Sequence, residues 1–431
     1  MRLFSFVYEY ARRFGLRRTV AAGLLYLSRR LDSDVDIRQL DAWMSRGPLV
    51  ESLQSRRPLN RRLLDYDFSS SDLARNKVLM DEWKAVTSRR VSSVNWFLPD
   101  YHSPYAGGIY TVLRFADAFS AKGIHNRIVI FDGPHHRDEE AVASEIRSIF
   151  PGLGRLEVLI NPAHIPHSDI CIATFWPTAY VALKFNDTRG KYYFIQDFEP
   201  LFYAAGPYYG LAEATYRFGF LGITNGPRLK EIYRNHYGTD AEYFLPTPDS
   251  GLFHTSLGEP RSKVSRIFFY ARPAMERNAF DLGILALQKL KRIHPHLEIV
   301  TAGWDLSEYE VPMPVTSLGL LTLKETAELY RSCDMGLVFM FTKHPSYLPG
   351  ELMASGCVVI TNKNPDNAWL LRDGENCLLT EPSVSSIVET FERAMTDYDL
   401  RKAVVKNGLE TVRQTTWDIQ IDRIISFVTG G

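Results

Sequence analysis

The chain has 431 residues, more than one compact core can organise and enough for two or three domains. Apolar residues make up 45% and charged residues 23%, an ordinary globular balance that excludes a disordered or fibrous chain. Fifty basic residues offset fifty acidic ones, which argues against a general polyanion binder and leaves nucleic acid out of the expected partners.

Residues 1 to about 90 differ in texture from the rest. Leu3, Val7, Tyr10 and Phe14 recur at helical spacing, and seven arginines (2, 12, 13, 17, 18, 29 and 30) face a single acid, Glu9, before Asp32. Two readings of this basic amphipathic segment stand: a helix packed on the body with a solvated basic face, or attachment to an anionic membrane surface on the cytoplasmic side. Its longest apolar run, 21–27, is too short to span a bilayer and is followed by Arg29-Arg30, so neither a spanning helix nor a cleaved signal peptide is expected. Residues 32–90 are charged and irregular, with short helices expected.

From about residue 91 strands and helices alternate. Strands are predicted at 94–99, 127–131, 169–175, 191–196 and 220–224, with a helix opened by Gly107-Gly108 and carried by Val112, Phe115, Ala116 and Phe119. Pro246, Pro248, Gly251, Gly258 and Pro260 then mark a linker near 246–262. The texture restarts, with strands at 267–271, 297–302, 335–341 and 358–361 and helices at 279–292, 323–333, 350–355 and 384–396. The expected fold is α/β: a basic helical extension (1–90), two tandem doubly wound, Rossmann-like domains (91–250 and 262–410) facing across a cleft, and a last helix (411–431) crossing back to the first domain. Ligands in such sheets bind beyond the carboxyl ends of the strands.

Cys171, Cys333, Cys357 and Cys377 are far apart, which rules against a disulfide framework or a cysteine zinc site and fits a reducing cytosol. Metal chemistry is not expected. Asp32-Ser33-Asp34 lies outside both α/β domains and reads as a turn or cap, Asp397-Tyr398-Asp399 reads as a helix start, and His135-His136 has no second ligand pair.

The chemistry concentrates in two stretches of the second domain. A buried strand ends at Arg272, and Arg277 follows just before a helix. Two guanidinium groups beside a helix N-terminus suit a diphosphate, although two surface arginines at a strand end would give the same pattern. Farther on, a loop through Ser346 and Tyr347 to Gly350 leads into a short helix. Its backbone N–H groups suit a second phosphate, and Glu351, expected in the first turn, suits ribose hydroxyls or simply the helix dipole. In the first domain Asp197 sits at a strand end, where cleft residues lie, and is either a site acid or a helix N-cap or turn residue. The aromatics between 192 and 220 are mostly core, with some left to line a groove.

On these residues the second half resembles the donor domain of GT-B glycosyltransferases of family 4. Ala271-Arg272 with Arg277 resembles the family's Gly-Arg with a Lys five residues on. Residues 351–360, Glu-Leu-Met-Ala-Ser-Gly-Cys-Val-Val-Ile, resemble its glutamate segment, and residues 373–379 its Asp-Gly-Glu-Asn pattern. Leu318-Gly319 resembles the turn that binds the base through backbone groups, Gly107-Gly108 the donor-phosphate loop, and Trp417 a late tryptophan. The family's earlier glutamate, which binds the transferred sugar, is Lys343 here. His344-Pro345-Ser346-Tyr347, Gln196-Asp197-Phe198-Glu199-Pro200 and residues 222–227 are similar to WsaF-type bacterial rhamnosyltransferases, which use dTDP-L-rhamnose. The resemblance implies a retaining, metal-independent transfer from a nucleotide-sugar to a glycan or lipid-linked glycan. The nucleotide-sugar is substrate, and no cofactor is implied. Arg272, Arg277 and Asp197 would serve catalysis, and Gly107, Gly108, Gly319, Ser346, Tyr347, Gly350 and Glu351 donor binding. A hexosyl- or mannosyltransferase using a UDP- or GDP-sugar, a non-catalytic nucleotide-sugar binder and an epimerase of the same fold stand as alternatives.

Overall fold

In the computed structural model, which describes residues 59–430 except 132, 134, 137 and 256–258, every paired strand runs parallel to its neighbours. The expected basic helix at 1–31 and the Asp32-x-Asp34 turn lie outside the described residues.

The first sheet holds β1 (Ser93–Pro99), β2 (His125–Phe131), β3 (Glu157–Ile160), β4 (Ser168–Ala173), β5 (Thr188–Ile195), β6 (Leu221–Asn225) and β7 (Ala241–Phe244), in the order β3-β2-β1-β4-β5-β6-β7. The second holds β8 (Arg266–Tyr270), β9 (Glu298–Ala302), β10 (Thr316–Ser317), β11 (Met335–Leu337), β12 (Val358–Asn362) and β13 (Leu378–Thr380), in the order β10-β9-β8-β11-β12-β13. The architecture is α/β with two doubly wound sheets, as the alternating texture predicts. The winding reverses between β1 and β4 in one sheet and between β8 and β11 in the other, which opens a crevice at the carboxyl ends of those strands.

The central strands are near-continuous apolar runs because both faces are covered: Val94, Trp96, Phe97 and Leu98 of β1 and Val358, Val359 and Ile360 of β12 are buried. The strands with no sequence signal, β3, β7, β10 and β13, are two to four residues long and lie at or next to sheet edges. Too few residues alternate there to set a period. β11 ends at Leu337, short of the predicted 341. Past it the Asn362 side chain takes over the ladder, accepting from Met340 N–H at 2.6 Å and donating to Met340 O at 3.3 Å.

The helices of the first domain are α1 (Ser70–Ala85), α2 (Gly107–Ala121), α3 (Glu139–Ile149), α4 (Trp176–Lys184), α5 (Pro207–Thr215) and α6 (Pro227–Tyr237). Those that follow are α7 (Phe280–Ile293), α8 (Leu323–Ser332), α9 (Tyr347–Ala354), α10 (Val384–Thr396), α11 (Tyr398–Arg413) and α12 (Trp417–Thr429). The stretch before residue 90, where short helices are expected, forms α1, sixteen residues opened by a Ser69/Asp72 capping box. Its buried residues Asn76, Met80 and Trp83 fall on one stripe and lie over β5. Trp83 Nε1 donates to Tyr192 Oη at 3.1 Å, and Asn76 Nδ2 to Phe218 O at 2.6 Å. α12 packs Ile424 and Val428 into the core of the first sheet. Tyr192 Oη donates to Val428 O at 3.2 Å, and Leu245 N–H to Gln420 Oε1 at 2.9 Å. The chain thus returns to its first domain after building the second.

Trp83 packs over Gly190, where a Cβ would come within 2.4 Å of the indole. Trp83→Ala is expected to cost about 3–5 kcal/mol and Gly190→Ala about 1–3 kcal/mol, read as lowered urea midpoints. Unchanged midpoints would mean that α1 adds nothing to the first domain.

Candidate active site

Two helices from opposite domains point their N-termini at one another. α2 opens at Gly107 with Ala106 as its N-cap, a residue with no side-chain acceptor to offer. α9 opens at Tyr347, and its N-cap Ser346 accepts only from Leu348 N–H, at 3.3 Å. Thr111 Oγ1 gives its hydrogen to Gly107 O at 2.6 Å, so Tyr347 Oη donates to Thr111 Oγ1 at 2.5 Å, joining the two helix ends. The glycines at the head of α2 allow this approach. A Cβ on Gly107 would lie 3.9 Å from the Tyr347 ring, and one on Gly108 would lie 3.3 Å from Gln196 Nε2, which donates to Gly108 O. The α2 terminus has no side-chain cap, whereas at α9 Ser346 N–H and Leu348 N–H are taken and Pro349 has none, which leaves Tyr347 N–H; both ends present the positive end of a helix dipole, which favours anions.

α9 begins three residues before the predicted start at 350, which corrects two expectations. Glu351 lies in the second turn, not the first. Gly350 turns toward the linker, where a Cβ would touch Pro248 at 3.5 Å, and Pro349 before it has no N–H to offer. Glu351 is buried with no hydrogen-bond or ion-pair partner among the described residues, and burial pushes its carboxyl up to about 8.

Asp197 follows β5 by two residues and is buried. It caps no helix: the 3₁₀ turn Glu199–Phe202 has Phe198 as its N-cap. Oδ1 accepts Phe198 N–H at 2.7 Å, while Oδ2 lies 3.6 Å from His344 Nε2 and 3.9 Å from Arg277 Nε, both in the second domain. Burial alone would raise this carboxyl, but the His344 imidazole and then the Arg277 guanidinium hold it below its ordinary range. The turn is fixed from behind. Glu199 Oε2 accepts Trp176 N–H at 2.6 Å and Tyr193 Oη at 3.0 Å, and Tyr216 Oη donates to Asp197 O at 3.1 Å.

Arg277 stands in a 3₁₀ turn, Glu276–Asn278, with its guanidinium 4.3 Å over the Phe202 ring. Ala279, at φ +46°, joins this turn to α7. Arg272, just past β8, has no ion-pair partner among the described residues. Lys343 turns to Asp366, donating from Nζ at 2.6 Å, and Asp366 also accepts from Arg228 Nε of the first domain at 2.7 Å. Gly319, at φ +64°, accepts Gly303 N–H at 2.8 Å. It lines a concavity of about 690 Å³ with Asp305, Leu306, Tyr309 and Met313.

Of the aromatic cluster, Tyr192, Tyr193, Phe194, Tyr216, Phe218 and Phe220 are core, while Phe198, Phe202, Tyr203, Tyr208 and Tyr209 remain partly exposed. Asp397 caps α11, accepting from Leu400 N–H at 2.8 Å. His136 pairs with Asp100. No group of His, Cys, Asp or Glu among the described residues has the arrangement to hold a metal. Thr111, Arg228 and Asp366 carry no sequence signal as site residues, while Asn225, Lys343 and His344 lie in the stretches that carry the family resemblance without a role of their own. Asn225 Nδ2 lies 3.2 Å from His344 Nδ1, and its Oδ1 is buried without a hydrogen bond. Only the facing of the two domains brings these residues together.

A carboxyl whose folded value is raised favours the folded state while protonated, so stability falls as pH climbs from the unfolded value near 4.5 through about 8. Glu351→Gln is expected to remove part of that fall, gaining on the wild type between pH 5 and pH 8 in urea unfolding. A constant difference between the two proteins would mean that Glu351 is ionised in the fold.

The family profile described as WsaF, N-terminal domain, matches residues 94–224, and that described as WsaF, C-terminal domain, matches residues 265–392. An O-antigen biosynthesis protein, RfbC, of Myxococcus xanthus is 43% identical over 344 residues, 78% of this chain. The chain spans 27% of that relative's length. Among solved structures, Anabaena HepE in complex with UDP-glucose superposes with a TM-score of 0.58 at 15% identity, over 78% of this chain and 98% of that one. WaaG, a glycosyltransferase involved in lipopolysaccharide biosynthesis, gives 0.57 at 17% identity, over 78% of this chain and 100% of that one. TarM gives 0.62 at 8% identity, over 79% and 99%. At these identities the likeness is one of fold, while the two matched profiles carry the family: the chain belongs to the WsaF family and has the GT-B fold.

Proposed function

We propose that this chain moves a sugar from a nucleotide diphosphate donor onto a bacterial cell-surface glycan, with dTDP-L-rhamnose as the donor, retention at the anomeric carbon and no metal. The observation that carries the reading is the meeting of the α2 and α9 N-termini in the cleft where Arg277 reaches Asp197 of the other domain. A diphosphate needs positive charge on several sides, and this cleft supplies it from both domains without a cation.

In this reading Gly107, Gly108, Ser346 and Tyr347 border the phosphates, Gly319 meets the base through its backbone, and Glu351 accepts from the ribose. Arg272 and Arg277 neutralise the diphosphate as the bond from the anomeric carbon to the phosphate oxygen breaks. The acceptor oxygen bonds to that carbon on the same face, and its proton passes to the leaving phosphate oxygen. Asp197, kept as a carboxylate by His344, accepts a hydrogen bond from the acceptor hydroxyl and orients it without taking the proton. Partly exposed Phe202, Tyr203, Tyr208 and Tyr209 offer faces on which acceptor rings stack. The RfbC relative and the involvement of WaaG in lipopolysaccharide biosynthesis support a lipopolysaccharide-type acceptor. The engagement of Lys343 with Asp366 supports a donor sugar held differently from that of hexosyltransferases with a glutamate at this position. A UDP-hexose donor is the second reading, supported by the UDP-glucose complex of HepE.

Arg272→Ala and Arg277→Ala are each expected to lower kcat/KM about 10²-fold, with the melting temperature little changed. The assay follows nucleotide release from dTDP-rhamnose, UDP-glucose and GDP-mannose, with and without acceptor glycan. Near-normal turnover by both variants would remove the diphosphate assignment. Activity is expected to persist in EDTA; loss on chelation that Mg²⁺ or Mn²⁺ restores would require a metal. The basic segment 1–31 is proposed to attach to anionic lipid. The full chain should sediment with anionic vesicles at low salt and release at high salt, and a chain lacking 1–31 should not sediment. Failure of the full chain to sediment at low salt would discard membrane attachment.

A further inference from the structure

Both counter-charges of Asp197 come from the other domain, and one of them is an arginine assigned above to the diphosphate. Its Oδ2 lies 3.9 Å from Arg277 Nε and 3.6 Å from His344 Nε2, while Oδ1 is occupied by Phe198 N–H. The Arg277 contact is a charge contact only. It is longer than a hydrogen bond and uses one nitrogen, not the paired fork that guanidinium makes with a carboxylate. The side chain of Arg277 is 26% exposed and rests on Phe202 by a face, which leaves its terminal nitrogens available. Arg272, five residues earlier, has no competing carboxylate among the described residues.

We propose that Asp197 is a built-in stand-in for the donor phosphate: without nucleotide it holds Arg277, and a nucleoside diphosphate must draw Arg277 away before Asp197 has an oxygen free for the acceptor. This rests on reading the cleft as a nucleotide-sugar site and adds a coupling between its two halves. One carboxylate offers a single charge, whereas a diphosphate offers more charge and paired oxygens that match the guanidinium fork, so the exchange favours the donor. The same exchange sets an order. Before donor binds, the side chains of Arg277 and His344 both stand within 4 Å of Oδ2 and crowd the approach of an acceptor hydroxyl to that oxygen. Afterwards Arg277 is on the phosphates, and His344 alone remains beside an oxygen that can accept. The acceptor is therefore engaged only over a loaded donor.

The consequence has opposite signs for two measurements. Asp197→Asn removes the competing charge at nearly constant shape and leaves Arg277 and His344 uncompensated, so nucleotide should bind more tightly while transfer slows. A residue with a merely structural role would weaken both. Calorimetric titration of the full chain with dTDP and with UDP is the test. D197N is expected to bind whichever nucleotide the wild type binds at least about fivefold more tightly, the lower end of ordinary site-to-site coupling. Its kcat with acceptor should fall about 10²-fold. In an R277A background the gain from D197N should vanish, since no arginine is left to release. Equal or weaker nucleotide binding by folded D197N overturns the proposal, as does a gain that persists without Arg277. If D197N does not fold, Asp197→Ser is read through the same cycle. If the wild type binds neither nucleotide, the donor site itself is misassigned and the coupling falls with it. If the wild type binds and D197N does not bind more tightly, the donor site stands and the coupling alone is overturned.

Discussion

Two helix N-termini do not sit close together without cost, because each carries unpaired N–H groups and about half a positive charge. The approach of α2 and α9 is therefore the constraint around which this cleft is organised. The hydrogen bond from Tyr347 to Thr111 joins the ends, and the glycines of α2 remove the side chains that would separate them. Farther along α2, Arg114 lies 4.7 Å over the Trp417 ring and 3.3 Å from Asp249 of the linker, so one arginine ties α2 to the interdomain connection and to α12.

Around that centre the charges occur as acids shared between cations of different elements. Asp366 takes Lys343 from its own domain and Arg228 from the other, and Asp197 takes Arg277 and His344 across the cleft. For Asp366, burial raises the carboxyl while Lys343 and then Arg228 more than offset it, leaving it below its ordinary range. Each set is stabilising only while the domains face one another. Opening the cleft would leave partly buried charges without partners, so the electrostatics favour a closed arrangement.

Two buried glutamates show how the same titration shift can arise in different settings. Burial pushes both Glu199 and Glu351 up to about 8. Glu199 has its partners, Trp176 N–H and Tyr193 Oη, and braces the turn that carries Asp197. Glu351 has none among the described residues. A satisfied buried acid is part of the scaffold, and an unsatisfied one beside a cleft is the kind of group a ligand completes.

The sequence by itself determined the architecture. The long buried strands β1, β2, β4, β5, β6, β8, β9 and β12 announce themselves as apolar runs, because a parallel strand covered on both faces can hold little else. Arg272, Arg277 and the 344–360 stretch were legible for a related reason: they sit at fixed offsets from a strand end and a helix start, within one short segment each. The edge strands β3, β7, β10 and β13 were not legible, since partners, not periodicity, keep two to four residues extended. The start of α9 depended on Ser346 acting as a cap, a local choice that moved Glu351 by a turn. Tertiary structure alone decided that Asp197 meets Arg277 and His344, that Thr111 meets Tyr347, and that Lys343 is taken up by Asp366 and Arg228. Each of these pairs spans tens to hundreds of residues of chain, often between the two domains. Charge complementarity carries no register along a sequence, and only the packing of the two sheets brings such partners within a few ångströms.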